Sequence, residues 1–99
     1  VNHRFITPAS DELRRAAFDY NEKVSGLGLE FLDEIDRAIE RILKNPLAWR
    51  QISPNHRRCR TKRFPYALVH SIDSDLIIIV SVMHLHRHPD AWKENIRVY

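Results

Sequence analysis

The sequence predicts an α+β fold: an N-terminal strand and an α-hairpin packed on a small, mainly antiparallel sheet in the order β-α-α-β-β-β, with a short C-terminal helix. Three observations predict it. Apolar residues recur at helical spacing through two segments of the first half. The second half changes to two-residue alternation and then to a β-branched apolar run. The only two glycines, Gly26 and Gly28, fall between the helical segments, where a tight turn folds them antiparallel. With 99 residues, 43% hydrophobic and 29% charged, the chain has the size and composition of one globular domain, residues 1–99, with a single core.

Taken in order, His3 to Thr7 is short and partly β-prone, a first strand. Thr7-Pro8 then opens a helix, with Thr7 as the cap and proline in the first helical position. Leu13, Ala16, Ala17, Tyr20 and Val24 form its apolar stripe. After the Ser25-Gly26-Leu27-Gly28 break, Phe31, Leu32, Ile35, Ala38, Ile39, Ile42 and Leu43 trace the clearest stripe in the chain. Asp33–Arg37 and Glu40–Lys44 are acid-before-base pairs at i,i+4, each contributing about 0.2–0.5 kcal/mol. Asn45-Pro46 stops this second helix. Arg58, Arg60, Lys62 and Phe64 then alternate with Arg57, Cys59, Thr61 and Arg63. Tyr66 to Ile72 is the next strand, Asp73-Ser74-Asp75 a turn. Leu76 to Met83, apolar on both faces, is expected as the central strand.

Charge is unevenly placed. Residues 1–53 hold 8 Lys or Arg against 9 Asp or Glu, and residues 54–99 hold 8 against 4, so the +3 net charge comes from the second half. Much of it sits in His56-Arg57-Arg58-Cys59-Arg60-Thr61-Lys62-Arg63. Such a block either attracts a polyanion or an acidic protein segment, or keeps a strand edge soluble. No run is long enough to cross a bilayer, and no secretion signal is expected. The single cysteine, Cys59, excludes an internal disulfide, fits a reducing compartment and is expected as a small buried hydrophobe.

Two groups of residues can carry chemistry. Alternation places Arg58, Arg60 and Lys62 on one strand face, successive side chains about 7 Å apart. On an open sheet face they could hold a phosphodiester backbone without reading its bases, or simply be solvated. The other group is His84-Leu85-His86-Arg87-His88-Pro89. If the strand continues, His84, His86 and His88 share a face, but no paired carboxylate or thiol completes a zinc site, so no metal is expected. Histidine titrates near 6.5 and can transfer protons, which arginine cannot, so His84 or His86 is the acid–base candidate; alternatively His84 is hydrogen-bonded into the core. Trp92 either stacks on a base or covers the end of the sheet. Trp49 packs under the loop after the hairpin.

These segments together resemble the RelE/ParE superfamily, the toxins of bacterial toxin–antitoxin (plasmid stabilisation) modules. The similarity runs over nearly the whole chain: Ala9 to Leu13 and Tyr20, Leu27-Gly28-Leu29-Glu30-Phe31, Ile39 to Pro46, Phe64-Pro65-Tyr66-Ala67-Leu68-Val69, and His84 to Trp92. The resemblance implies a cytoplasmic toxin without cofactor or metal. It would be neutralised by a cognate antitoxin that wraps the sheet and helices, usually in a hetero-oligomer. In the family's ribosome-dependent mRNA endoribonucleases, Arg58 and Arg60 fall where two lysines stand on the same strand. Arg87 falls near a phosphate-stabilising arginine, and Trp92 roughly where a tyrosine assists. Ala67 stands where those enzymes carry an arginine, and a tryptophan cannot exchange a proton as tyrosine does. The His84-to-Trp92 pattern is closer to the ParE-like branch, whose better-studied members inhibit DNA gyrase.

Two mechanisms therefore suit one fold. In the enzymatic one the RNA's own 2′-hydroxyl attacks, His84 or His86 transfers the proton, and Arg58, Arg60 and Arg87 stabilise the phosphorane charge. In the binding one, Arg58, Arg60, Lys62, Arg63 and Trp92 dock on nucleic acid or gyrase and no bond is made or broken by the toxin.

Overall fold

The structure, a computed structural model, describes residues 2–98. The elements run β1 (Asn2–Phe5), α1 (Thr7–Lys23), α2 (Leu27–Lys44), β2 (Arg50–Ser53), β3 (His56–Arg60), β4 (Tyr66–Asp73), β5 (Leu76–His84) and α3 (Lys93–Val98). They form one five-stranded sheet in the order β1-β5-β4-β3-β2, with β1 parallel to β5 and the other pairs antiparallel. This is the expected α+β architecture with its hairpin, mixed sheet and C-terminal helix.

The α-hairpin forms because its two long stripes face the same way. Phe31, Ile35, Ala38 and Ile42 of α2 are fully buried, against Leu68, Val82, Ile77 and Ile79 of the sheet. Tyr20, Phe31, Phe64 and Tyr66 join in an aromatic cluster at one end, with Tyr20–Phe64 and Phe31–Tyr66 ring centroids 4.9 Å apart. The turn is built by Asn21, whose Oδ1 accepts the backbone N–H of Gly26 at 2.8 Å and of Gly28 at 3.3 Å. Gly26 has φ +88°, open to glycine and strained for other residues. Gly28 lies inside α2, and a Cβ there would sit 2.5 Å from the Ala17 carbonyl oxygen, so the close helix–helix approach requires glycine. The expected Thr7 cap is corrected: Ile6 is the N-cap, makes no side-chain bond, and Thr7-Pro8 is already helical.

Three expectations about the sheet are revised. A further strand, β2, pairs with β3 through the Pro54-Asn55 turn. The apolar strand β5 is interior, between β1 and β4, but the middle strand is β4. And β3 stops at Arg60, so Lys62 and Arg63 leave the sheet. The loop after β3 curls because the buried Glu34 carboxylate of α2 accepts the backbone N–H groups of Lys62 and Arg63 at 3.2 and 3.0 Å. Thr61 donates its hydroxyl to the Phe64 carbonyl across the same loop.

The sheet face opposite the helices is not open. Val69, Ser81 and Met83 are buried there, beneath the segment leading into α3. Trp92, only 2% exposed, lies over them with its ring centroid 4.6 Å from that of His56. Among the described residues, no helix is long and apolar enough to cross a membrane.

Candidate functional site

Strand register decides which candidate residues can meet. Cys59 pairs with Leu68 and Leu68 with Val82, all three buried on the helix side. Arg58 and Arg60 therefore project to the opposite face, toward Val69, Ala67 and Met83, beside Trp92. Arg60 is exposed; Arg58 is half-buried where the chain around Pro89 and Asp90 approaches. Lys62 does not continue this row, and neither it nor Arg63 stays in the sheet. Arg63 forms an ion pair with Glu30 and lies over the Phe64 ring at 5.1 Å, while Lys62 is exposed on the loop. The cation row is thus shorter than alternation implied, because the Glu34 carboxylate turns the backbone out of the sheet.

The histidine group lies at the same end of the sheet but on the helix side. Tyr66 pairs with His84, their ring centroids 5.0 Å apart. The strand ends at His84, so His84, His86 and His88 do not form a row. Instead the backbone N–H of His86 donates to His84 Nδ1 at 3.0 Å, and the His86 ring lies 4.8 Å from that of His84. His88 Nδ1 accepts the backbone N–H of Asp90 at 3.1 Å. Among the described residues, no three histidine, cysteine, aspartate or glutamate side chains converge as a metal site.

A shallow cleft of about 130 Å³ opens here between α1 and the ends of β4 and β5, lined by Glu12, Arg15, Asp19, Tyr66, His84 and Arg87. Partial burial lowers the His84 pKa, and the neighbouring His86 and Lys23 charges add to that, favouring the neutral imidazole. Burial likewise raises the Tyr66 phenol, with Tyr20, Asp19 and Glu12 pushing the same way and Arg87 opposing.

Glu12, which sequence reasoning passed over, organises this end of the molecule. Its Oε1 accepts the Ser81 hydroxyl at 2.9 Å, the Val82 N–H at 3.0 Å and the Asn95 amide at 2.9 Å. Its Oε2 accepts Arg87 at 3.1 Å. The strand β1 ends at Phe5, so beyond Ile79 the edge of β5 lacks a partner strand, and Glu12 fills that place. Arg87 is therefore tied to a carboxylate and is not presented with Arg58 and Arg60. The only signal for Glu12 in the sequence is an acid on the partly buried flank of α1, which any surface helix also carries. Trp92 is buried, its ring tilted by 45° to that of His56. Cys59 is fully buried and its thiol pKa is raised by burial, partly offset by Arg41.

Comparison with known proteins adds an independent line. A family profile described as "ParE toxin of type II toxin-antitoxin system, parDE" matches residues 4–89. No curated protein matches the sequence. Among eight matching chains of solved structures is one from the "Chromosomal ParDE TA system from P. aeruginosa". It superposes with a TM-score of 0.76 and 16% identity, covering 87% of this chain and 97% of that one, a likeness of fold.

Proposed function

The chain belongs to the ParE toxin family of type II toxin–antitoxin systems, and from that premise we propose that it inhibits growth by binding DNA gyrase, without chemistry of its own, and is neutralised by a cognate antitoxin in the cytoplasm. The observation that carries this reading is the division of the charged and titratable residues between two sheet faces. A ribonuclease of this fold needs its acid–base group and its phosphate-binding cations around one phosphorus atom. Arg58 and Arg60 project from the face under Trp92, whereas His84 projects toward α1. Of the cations near His84, Arg87 already has a carboxylate partner, and Arg15 and Lys23 belong to α1, not to the sheet face of Arg58 and Arg60. Ala67 is buried on the cation face and offers no third charge. A binding surface has no such requirement: its basic side chains need only be accessible together.

The test runs two assays on one purified protein. Gyrase supercoiling is expected to be blocked, with trapped DNA breaks, and primer extension on translated messages is expected to show no toxin-dependent cuts. Ribosome-dependent cleavage with normal supercoiling would overturn the proposal in favour of the endoribonuclease mechanism.

A further inference from the structure

The strand that the sequence did not predict brings a third arginine to the cation face, beside Arg58 and Arg60. β2 pairs with β3 so that Arg50 lies directly opposite Arg58. Side chains so paired stand about 4.5–5.5 Å apart at Cβ, and like charges in that position repel. Among the described residues, neither guanidinium has a hydrogen-bond or ion-pair partner, in contrast to Arg14, Arg37, Arg63, Arg87 and Arg97, which each pair with a carboxylate. Asp90, which lines the same groove, is engaged by Lys93 at 3.3 Å.

Both arginines border a groove that also takes in Ile52, Met83, Pro89 and Trp92. Its apolar lining includes the buried Met83 and Trp92, and its polar lining includes the two unpaired guanidinium groups, Gln51 and Asp90. β2 is moreover the last strand of the sheet, so its outer backbone groups have no neighbouring strand. From this we infer that Arg50 and Arg58 together bind a carboxylate side chain of a partner's extended segment, laid along β2 with apolar residues beside the acid. Two planar guanidinium forks match one carboxylate, and its charge removes their mutual repulsion. An edge strand adds a peptide by main-chain hydrogen bonds while alternate side chains enter the groove. The apolar side chains in the lining and the carboxylate of Asp90 favour such a peptide over a phosphate chain, which carries a charge at every residue. The inference rests on the toxin reading only for the identity of the partner, the antitoxin.

The test uses the full chain and a fluorescein-labelled peptide of alternating leucine and glutamate, long enough to span β2. A leucine–lysine peptide of equal length and a uridine oligonucleotide serve as competing probes. Anisotropy should show binding of the acidic peptide, weakened about tenfold or more in Arg50→Gln and in Arg58→Gln, and unchanged in the remote Arg14→Gln. The thermal midpoint of Arg50→Gln should not fall, because the substitution removes a repulsion. Equal peptide binding by Arg50→Gln, tighter binding of the oligonucleotide through the same arginines, or a fall in midpoint would overturn the inference. Supercoiling inhibition is read on the same wild-type sample: its absence alongside arginine-dependent peptide binding refutes the gyrase reading and still supports the site.

Discussion

Glu12→Ala is the substitution whose cost can be worked most directly from the structure. The carboxylate accepts four donors, and they differ in what they lose. Ser81 is fully buried, and the Val82 N–H lies at an edge that no strand covers. Leaving each of these unsatisfied costs about 1–3 kcal/mol. Asn95 keeps a second acceptor, the Val80 carbonyl at 3.0 Å, so its loss is partial. The Arg87 pair is half-exposed on the arginine side and contributes about 0–1 kcal/mol. The expected destabilisation is therefore about 2–5 kcal/mol, a large share of the roughly 5–15 kcal/mol typical of a domain. For a chain of this size that is a fall in Tm on the order of 10–30 °C. Urea unfolding followed by tryptophan fluorescence measures it, because Trp92 is buried in the segment that Asn95 anchors. Glu12→Gln keeps one acceptor oxygen and should cost about 1 kcal/mol. A loss below about 1 kcal/mol in the alanine variant, or equal losses in both variants, would refute the account of Glu12 as the acceptor for the β5 edge.

Three further outcomes are expected. Gly28→Ala should destabilise by about 1–3 kcal/mol in the same urea assay, since its Cβ would meet the Ala17 carbonyl oxygen, which is backbone and cannot rotate away. His56, His70 and His84 all titrate below their ordinary value of 6.5, chiefly through burial. The unfolded chain therefore binds more protons than the native one just below pH 6.5, so stability should fall as pH drops through that window and level off above it. His70→Gln should flatten that slope, and an unchanged slope would remove His70, which is fully buried, as a contributor. In growth assays, His84→Gln should remain toxic while Arg58→Ala with Arg60→Ala should not; the reverse pattern would favour proton transfer over binding.

Much of the fold was legible because its strongest signals are local. The α2 stripe is long, periodic and ended by Asn45-Pro46, and tertiary packing only confirms what the spacing dictates. β2 was not legible, since Arg50-Gln51-Ile52-Ser53 has one apolar residue and becomes a strand only when the Pro54-Asn55 turn lays it on β3. The end of β3 was misread for a different reason. Arg57 to Phe64 alternates smoothly, and what breaks the strand is Glu34, a carboxylate 28 residues away in sequence from Lys62. Of the site candidates, Arg58 and Arg60 share a face as alternation required. Lys62 left that face for the same nonlocal reason, and Arg63, expected on the other side of the strand, left the sheet with it. The pairing of Arg87 with Glu12 spans 75 residues and leaves no mark on local pattern.

The separation of His84 from the arginines turns on a single residue. Along β5, Ile77 and Ile79 face the helices, and uninterrupted alternation would send residues 81 and 83 the same way and His84 to the arginine face. The register instead pairs Val69 with Ser81 and His70 with Ile79, so Val80 is an extra residue opposite the Val69–His70 step. That bulge reverses the parity of the last turn of strand: Val82 and His84 join Ile77 and Ile79 on the helix side, and Ser81 and Met83 go under Trp92. Leu76 to Met83 is apolar on both faces, apart from Ser81, so its sequence carries no alternation in which an inserted residue could register. The bulge lies where β1 has ended and Glu12 takes over the edge, accepting the backbone N–H of Val82 and the hydroxyl of Ser81 just after it. One carboxylate on α1 thus holds the distortion that divides the candidate residues between two faces. A protein that must only bind its target loses nothing by that division, whereas one that cleaves RNA would lose the assembly of its site.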